Sequence, residues 1–84
     1  MKQVEYARDA ARTLQRMDRA TARRIRSKIR QYAEAPAALA NNVIVMKGDE
    51  GLRRMRVGDW RVIFTEDLVV VLVIRVAPRG GAYD

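Results

Sequence analysis

Leu52-Arg-Arg-Met-Arg-Val-Gly-Asp-Trp-Arg-Val-Ile-Phe-Thr65 holds two alternating runs around a Gly58-Asp59 pair. Successive side chains of a strand point to opposite faces, so Arg54 and Arg56 share one face while Met55 and Val57 share the other. Gly58-Asp59 predicts a tight turn, and the residues from Trp60 to Thr65 predict the returning strand. The hairpin is therefore two-faced, with Met55, Val57, Trp60, Val62 and Phe64 as candidate core and Arg54, Arg56 and Arg61 on an open side. An arginine face with no carboxylate among its members suits an anion. Phosphate fits best, because the guanidinium fork meets its oxygens bidentately.

Outward from the hairpin the same logic orders the rest of the chain. Residues 43–46 predict a strand and residues 47–51 a turn. Glu66-Asp67 turns the chain again. Residues 68–74 are apolar at every position, which predicts a central strand covered on both faces, and Pro78 stops regular pairing. Upstream, residues 2–6 alternate weakly as a first strand. Residues 8–17 predict a helix with an apolar stripe of Ala7, Ala11, Leu14 and Met17. Asp18 stands as an N-cap or turn residue. Residues 20–34 predict a second helix with Ala22, Ile25, Ile29, Tyr32 and Ala33 inside, ended by Pro36. Residues 37–42 read as a connection. The order β-α-α-β-β-β-β defines an α+β fold, with an N-terminal strand and an αα-hairpin packed on one face of a mostly antiparallel sheet.

The chain has 84 residues, 49% of them hydrophobic, enough for one domain with one modest core. It has no apolar run long enough to span a bilayer, and its first residues lack the apolar region of a signal peptide. Without cysteine there is no disulfide framework or thiolate chemistry, which suits the cytoplasm. Without histidine there is no imidazole base, no Ser-His-Asp triad and little means of holding zinc, so no metal or other cofactor is expected. The net charge is +7 and the pI about 10.8, with Lys2, Lys28 and Lys47 as the non-arginine share of the 17 basic residues. Such a balance points to nucleic acid, an acidic protein or an anionic membrane surface, unless it only reflects an arginine-rich genome.

The block Arg54-Met-Arg-Val-Gly-Asp-Trp-Arg61 resembles the Arg-Leu-Arg-Val-Gly-Asp-Tyr-Arg block of the RelE/ParE superfamily of bacterial toxins, in particular its RelE-type messenger-RNA-cleaving branch. Met46-Lys47-Gly48 is similar to the Leu-Lys-Gly just upstream of that block. Arg79 and Tyr83 are similar to the family's C-terminal arginine-to-tyrosine signature. The helical half matches in length and pattern. The resemblance implies the toxin component of a type II toxin–antitoxin system: a ribosome-dependent endoribonuclease that cuts mRNA in the A site. It also implies a cognate RelB-like antitoxin, acidic or amphipathic, through which alone operator DNA is bound. No helix-turn-helix signature or membrane partner is expected.

Carried over by position, the resemblance implies Arg54, Arg61, Arg79 and Tyr83 as catalytic residues and Arg56 as an RNA contact. Metal-free RNA cleavage needs charge stabilisation at the phosphoryl oxygens, which fixed guanidinium groups supply. It also needs a base for the 2′-OH and an acid for the departing oxygen. Tyr83 is the base candidate, since arginines around a phenol of pKa roughly 10 favour phenolate. Leu52 and Arg54 stand where some relatives carry lysine, and Pro78 where others carry histidine. Lys47 offers a substitute ammonium. Arg23, Arg26 and Arg30, with Arg19, form an outer stripe on the second helix, read either as solvated surface or as a dock on ribosomal RNA. Two other functions stay open on the same fold: a ParE-like, non-catalytic inhibitor of DNA gyrase, and an inactive antitoxin-binding homologue.

Overall fold

A computed structural model describes residues 1–48 and 51–79. The elements follow in the order β1 (Gln3–Tyr6), α1 (Arg8–Arg16), α2 (Arg19–Glu34), a 3₁₀ segment (Pro36–Asn42), β2 (Val43–Val45), β3 (Arg53–Val57), β4 (Trp60–Glu66) and β5 (Val70–Pro78). One five-stranded sheet has the order β1-β5-β4-β3-β2. Only the β1–β5 pair is parallel. This is the α+β architecture expected from the hydrophobic pattern.

α2 begins at Asp18, whose Oδ2 accepts from the Thr21 amide at 3.0 Å and from the Thr21 hydroxyl at 3.1 Å, satisfying a backbone donor that the first helical turn leaves free. Its inner face is Ala22, Ile25, Ile29, Tyr32 and Ala33, all buried. α1 presents Ala10 and Leu14 to the core. The expected stripe is thus rotated, and Ala7 and Ala11 are only half-buried. Pro36 closes α2 and opens a 3₁₀ segment, where a chain without the proline N–H loses no helical hydrogen bond. Leu39 of this segment is buried, so the connection carries a core residue.

The hairpin has the expected register, Arg54↔Ile63, Met55↔Val62, Arg56↔Arg61 and Val57↔Trp60. Gly58 has φ +58 and Asp59 does not have a positive φ, the pattern of a two-residue turn with glycine first. Met55, Val62 and Phe64 are fully buried and Trp60 packs against the same core.

β5 departs from its expected form. It starts at Val70, while Leu68 and Val69 are 94% and 59% exposed in a turn. Asp67 makes that turn: its Oδ1 accepts the amides of Val69 and Val70 at 2.7 and 2.8 Å. Nor is the strand covered on both faces: Val71, Val73 and Val76 are buried, but Val70, Leu72 and Ile74 are half-exposed. The pairing shifts between Ile63↔Arg75 and Phe64↔Val73, which leaves Ile74 as the extra residue of a bulge. The bulge changes the alternation, so that Val73 and Val76 both reach the core while Arg75 falls on the arginine side.

At the other end of the sheet Glu66 ties β4 to β3, to α2 and to the residue just before β1. Lys2 Nζ reaches its Oε2 at 2.6 Å, Arg53 Nε lies 3.2 Å from Oε1, and the Tyr32 hydroxyl donates to Oε1. Tyr32 also meets Phe64 edge-on at 5.1 Å. Burial pushes the Glu66 carboxyl up, but hydrogen bonds from Lys2 and Tyr32 and the charges of Lys2 and Arg53 outweigh it and leave the pKa below 4.5. The Tyr32 phenol is pushed up to about 12, first by burial and then by Glu66.

Because the folded carboxylate has the lower pKa, its contribution is present above pH 4.5 and lost as pH falls through the folded value. The tyrosine works oppositely, contributing below pH 10 and losing that contribution as pH rises toward 12. Glu66→Gln should cost about 1–3 kcal/mol at neutral pH, less than a fully buried pair because Lys2 and Arg53 are partly wet. Urea unfolding measures the loss. The variant's stability should also fall less steeply than the wild type's below pH 4.5; identical acid limbs would refute the role given to this carboxylate.

Candidate anion-binding site

Arg54, Arg56 and Arg61 line one cavity of about 200 Å³ with Asn41, Asn42 and Ile44. The β3–β4 register creates it. Arg56 and Arg61 are directly opposed, and Arg54 is opposite Ile63. Ile63 is buried yet lies outside the helix-side core, as does Ala77. On β5, Arg75 partners Ile63 and Ala77 partners Arg61, so Arg75 completes the arginine side of the sheet. Asn41 and Asn42 come from the end of the 3₁₀ segment and close the cavity on the β2 side.

Among the described residues no carboxylate lines this cavity. Glu66, the acidic residue at the end of β4, is committed to Lys2, Arg53 and Tyr32 on the opposite face. Asp67 is committed to its own turn. Arg61 therefore meets neither, and its guanidinium reaches the Trp60 carbonyl at 3.4 Å. Two like charges directly across a strand pair disfavour the fold. An anion held between them removes that cost and gains charge-assisted hydrogen bonds.

The other expected site residues are distributed unevenly. Arg79 is exposed just beyond β5, and its amide donates to the Asp59 carbonyl at 2.6 Å, which fixes the chain beside the β3–β4 turn. It follows by two residues Ala77, the partner of Arg61. Tyr83 lies outside the described residues. Lys47 is exposed in the turn after β2 and does not line the arginine cavity. Arg23, Arg26 and Arg30 are not brought to it either: they line a separate groove of about 730 Å³ between α1 and α2, floored by Leu14, Met17 and Ala22. Arg26 lies over the Tyr6 ring, 5.1 Å from its centroid. Burial raises the Tyr6 pKa despite the nearby Arg26 and Arg30 charges. Neither Tyr6 nor Tyr32 is thus poised as a phenolate.

Three residues near the arginines were not foreseen. Arg75 is placed by a bulge, a feature with no signature in an all-apolar run. Arg24 and Lys28 of α2 line a second cavity of about 200 Å³ that also contains Arg56 and Asn42. Their i, i+4 spacing puts them on one flank of α2, but only the tertiary structure shows which flank meets the hairpin.

The fold and the arginine face together define a small toxin-like α+β domain. Residues 4–83 match the family model of the ParE toxin of type II toxin–antitoxin systems, parDE, and the chain belongs to that family within the RelE/ParE superfamily. Its structure is similar to a chain of the archaeal RelE–RelB complex from Pyrococcus horikoshii OT3, with TM-score 0.78 and 26% identity over 94% of this chain and 96% of that one. The RelB–RelE antitoxin–toxin complex from Methanococcus jannaschii shares the fold at TM-score 0.71 and 18% identity, covering 90% and 91% of the two chains. So does the RelBE2 toxin–antitoxin complex from Mycobacterium tuberculosis, at 0.68 and 17% over 93% and 98%. No curated protein matches the chain in sequence.

If the arginine face is held at a cost, relieving it should stabilise the fold. Arg56→Thr is expected to raise stability by roughly 0.2–1 kcal/mol, and the wild type should gain more from added salt than the variant does. Thermal unfolding at several salt concentrations reads both. A destabilised Arg56→Thr would mean that the arginine is part of the structural framework.

Proposed function

We propose that this toxin is a metal-independent endoribonuclease that cuts mRNA in the ribosomal A site and so arrests translation. The observation that carries the proposal is the cavity shared by Arg54, Arg56 and Arg61, with no carboxylate among the described residues that line it. In the proposed reaction the substrate 2′-oxygen attacks the adjacent phosphorus. Its proton passes to Tyr83, the O2′–P bond forms, and the P–O5′ bond breaks. The departing O5′ takes a proton from water or a guanidinium, and the product ends in a 2′,3′-cyclic phosphate. Arg54 and Arg61 meet the phosphoryl oxygens, where negative charge accumulates in the transition state. Arg79 clamps the reacting phosphate with Arg61, and Arg56 holds the flanking backbone. Tyr6 and Tyr32 are unsuited to the base role, since burial raises both phenols. An all-arginine and phenol site is a weak acid–base system, which suits an enzyme whose substrate is oriented by a ribosome.

A second reading is favoured by the family match itself, which is to a ParE toxin: binding and inhibition of DNA gyrase without catalysis. Primer extension on cellular mRNA after a short pulse of expression separates the two. Cuts within translated codons that disappear in Arg61→Ala and in Tyr83→Ala are the expected result, with at least a roughly hundredfold loss of cleavage for removing one group that stabilises the transition-state charge. Growth arrest with intact mRNA would transfer the function to gyrase.

The proposed partner in the resting cell is an acidic or amphipathic antitoxin. Relatives of this fold are found in complexes with RelB. The groove between α1 and α2 supports an amphipathic occupant, with Leu14, Met17 and Ala22 below and Arg19, Arg23 and Arg30 around them. Arg23→Glu combined with Arg30→Glu should slow association with the antitoxin encoded beside this gene and lessen its salt dependence. Stopped-flow binding at two ionic strengths checks this. Unchanged rates would place the antitoxin elsewhere on the surface.

A further inference from the structure

The second cavity, between α2 and the β3–β4 turn, is not explained by the cleavage site. It has Arg24 and Lys28 on one wall, Arg56 and Gly58 on the other, and the buried Leu39 among its lining. Its about 200 Å³ is comparable to the share of six or so waters at roughly 30 Å³ each. Three cations line it, and no carboxylate does among the described residues.

Two further features fit it to an anion. The Arg24 guanidinium lies 3.2–3.4 Å from where a Cβ on Gly58 would stand, so the glycine lets the guanidinium lie close against the turn. The positive φ of Gly58 independently disfavours a side chain there. Arg56 and Asn42 also line the first cavity. A strand running from the Arg54/Arg61 cavity to Arg24 and Lys28 would pass Arg56 and Asn42, the residues that the two cavities share.

We propose that Arg24 and Lys28, with Arg56, form a second phosphate subsite that binds the next phosphate of the same RNA strand and thereby sets the reacting phosphate in register. It rests on the RNA-cleaving function proposed above. Arg24 and Lys28 are positioning residues: they hold the strand and touch no reacting atom. Arg56 is the bridge between the two subsites. The Asn42 amide, shared by both cavities, supplies neutral donors and an acceptor where sugar and base edges pass.

The test uses two 2′-O-methyl oligoadenylates, which cannot be cleaved: a dinucleotide with a single phosphate and a tetranucleotide with three. Binding to the full 84-residue chain is followed by NMR titration. Arg24→Ala with Lys28→Ala should weaken tetranucleotide binding about fivefold and leave the dinucleotide unchanged. The slope of log affinity against log salt for the tetranucleotide should become shallower by about 0.7, the value for one lost phosphate contact on a single strand. Arg12→Ala with Arg16→Ala removes the same charge from α1, outside both cavities, and should leave both affinities near wild type. Equal losses for the two oligonucleotides, no loss for the tetranucleotide, or an equal loss in the α1 variant would each overturn the second subsite. If Arg61→Ala leaves both oligonucleotides bound as in the wild type, the failure lies instead in the RNA-cleaving function. Arg24 is exposed and Lys28 half-buried on a helix surface, so circular dichroism suffices to confirm the variants' fold.

Discussion

The carboxylate of Glu66 is the constraint around which the charges of this sheet are arranged. It sits at the end of β4 on the helix side and takes contacts from Lys2, Arg53 and Tyr32. Strand alternation makes the separation possible. Arg53 and Arg54 are neighbours in sequence, yet Arg53 partners Phe64 on the core side and Arg54 partners Ile63 on the other. The cation that needs a partner for burial receives one, and the cations of the opposite face are kept away from it. A carboxylate shifted by one residue along β4 would point to the face that carries Arg54 and Arg61. One residue of register thus decides between an ion-paired surface and an anion site.

The cost of that arrangement appears in the β3–β4 pair itself. Arg56 and Arg61 oppose each other directly, where oppositely charged or β-branched partners would support the sheet. Local preferences and global fold agree almost everywhere else: a capped α2, a glycine-first turn, an Asx turn at Asp67. A single local conflict in an otherwise consistent chain marks a place kept for function. The conflict is tolerable because the other side of the same strands is densely packed. Met55, Val62 and Phe64 are fully buried beneath the helices, and their burial offsets the repulsion above them.

What was legible in the sequence follows the strength of the periodic signal. α2 could be read nearly whole, since its five inner residues repeat at helical spacing and Asp18 caps it. The hairpin and its two faces could be read from strict alternation. Leu68 and Val69 could not be told from strand residues, because their hydrophobicity is that of a strand and only the hydrogen bonds of Asp67 place them in a turn. The bulge at Ile74 is equally silent in an all-apolar run, and with it the placement of Arg75. The α2 arginines divide in the same way. Periodicity shows which residues of a helix are outside, but Arg23 and Arg30 face the α1 groove and Arg24 the hairpin because of how α2 docks. Docking is set by the sum of the core contacts, which no local window contains.

The family to which this chain belongs spans an RNA-cleaving and a gyrase-binding activity on one backbone, so the fold is not the discriminant. The discriminant is chemical. A protein–protein inhibitor has no need to hold like charges opposite each other across a strand pair. A phosphodiester in its transition state does need this, because the extra charge on the phosphoryl oxygens exists only there and is met by groups already in place. Like charges opposed as Arg56 and Arg61 are disfavour the strand pair, and an anion between them would offset that cost. A cross-strand pair of arginines therefore bears on the choice between the two activities in a way that the shared backbone does not.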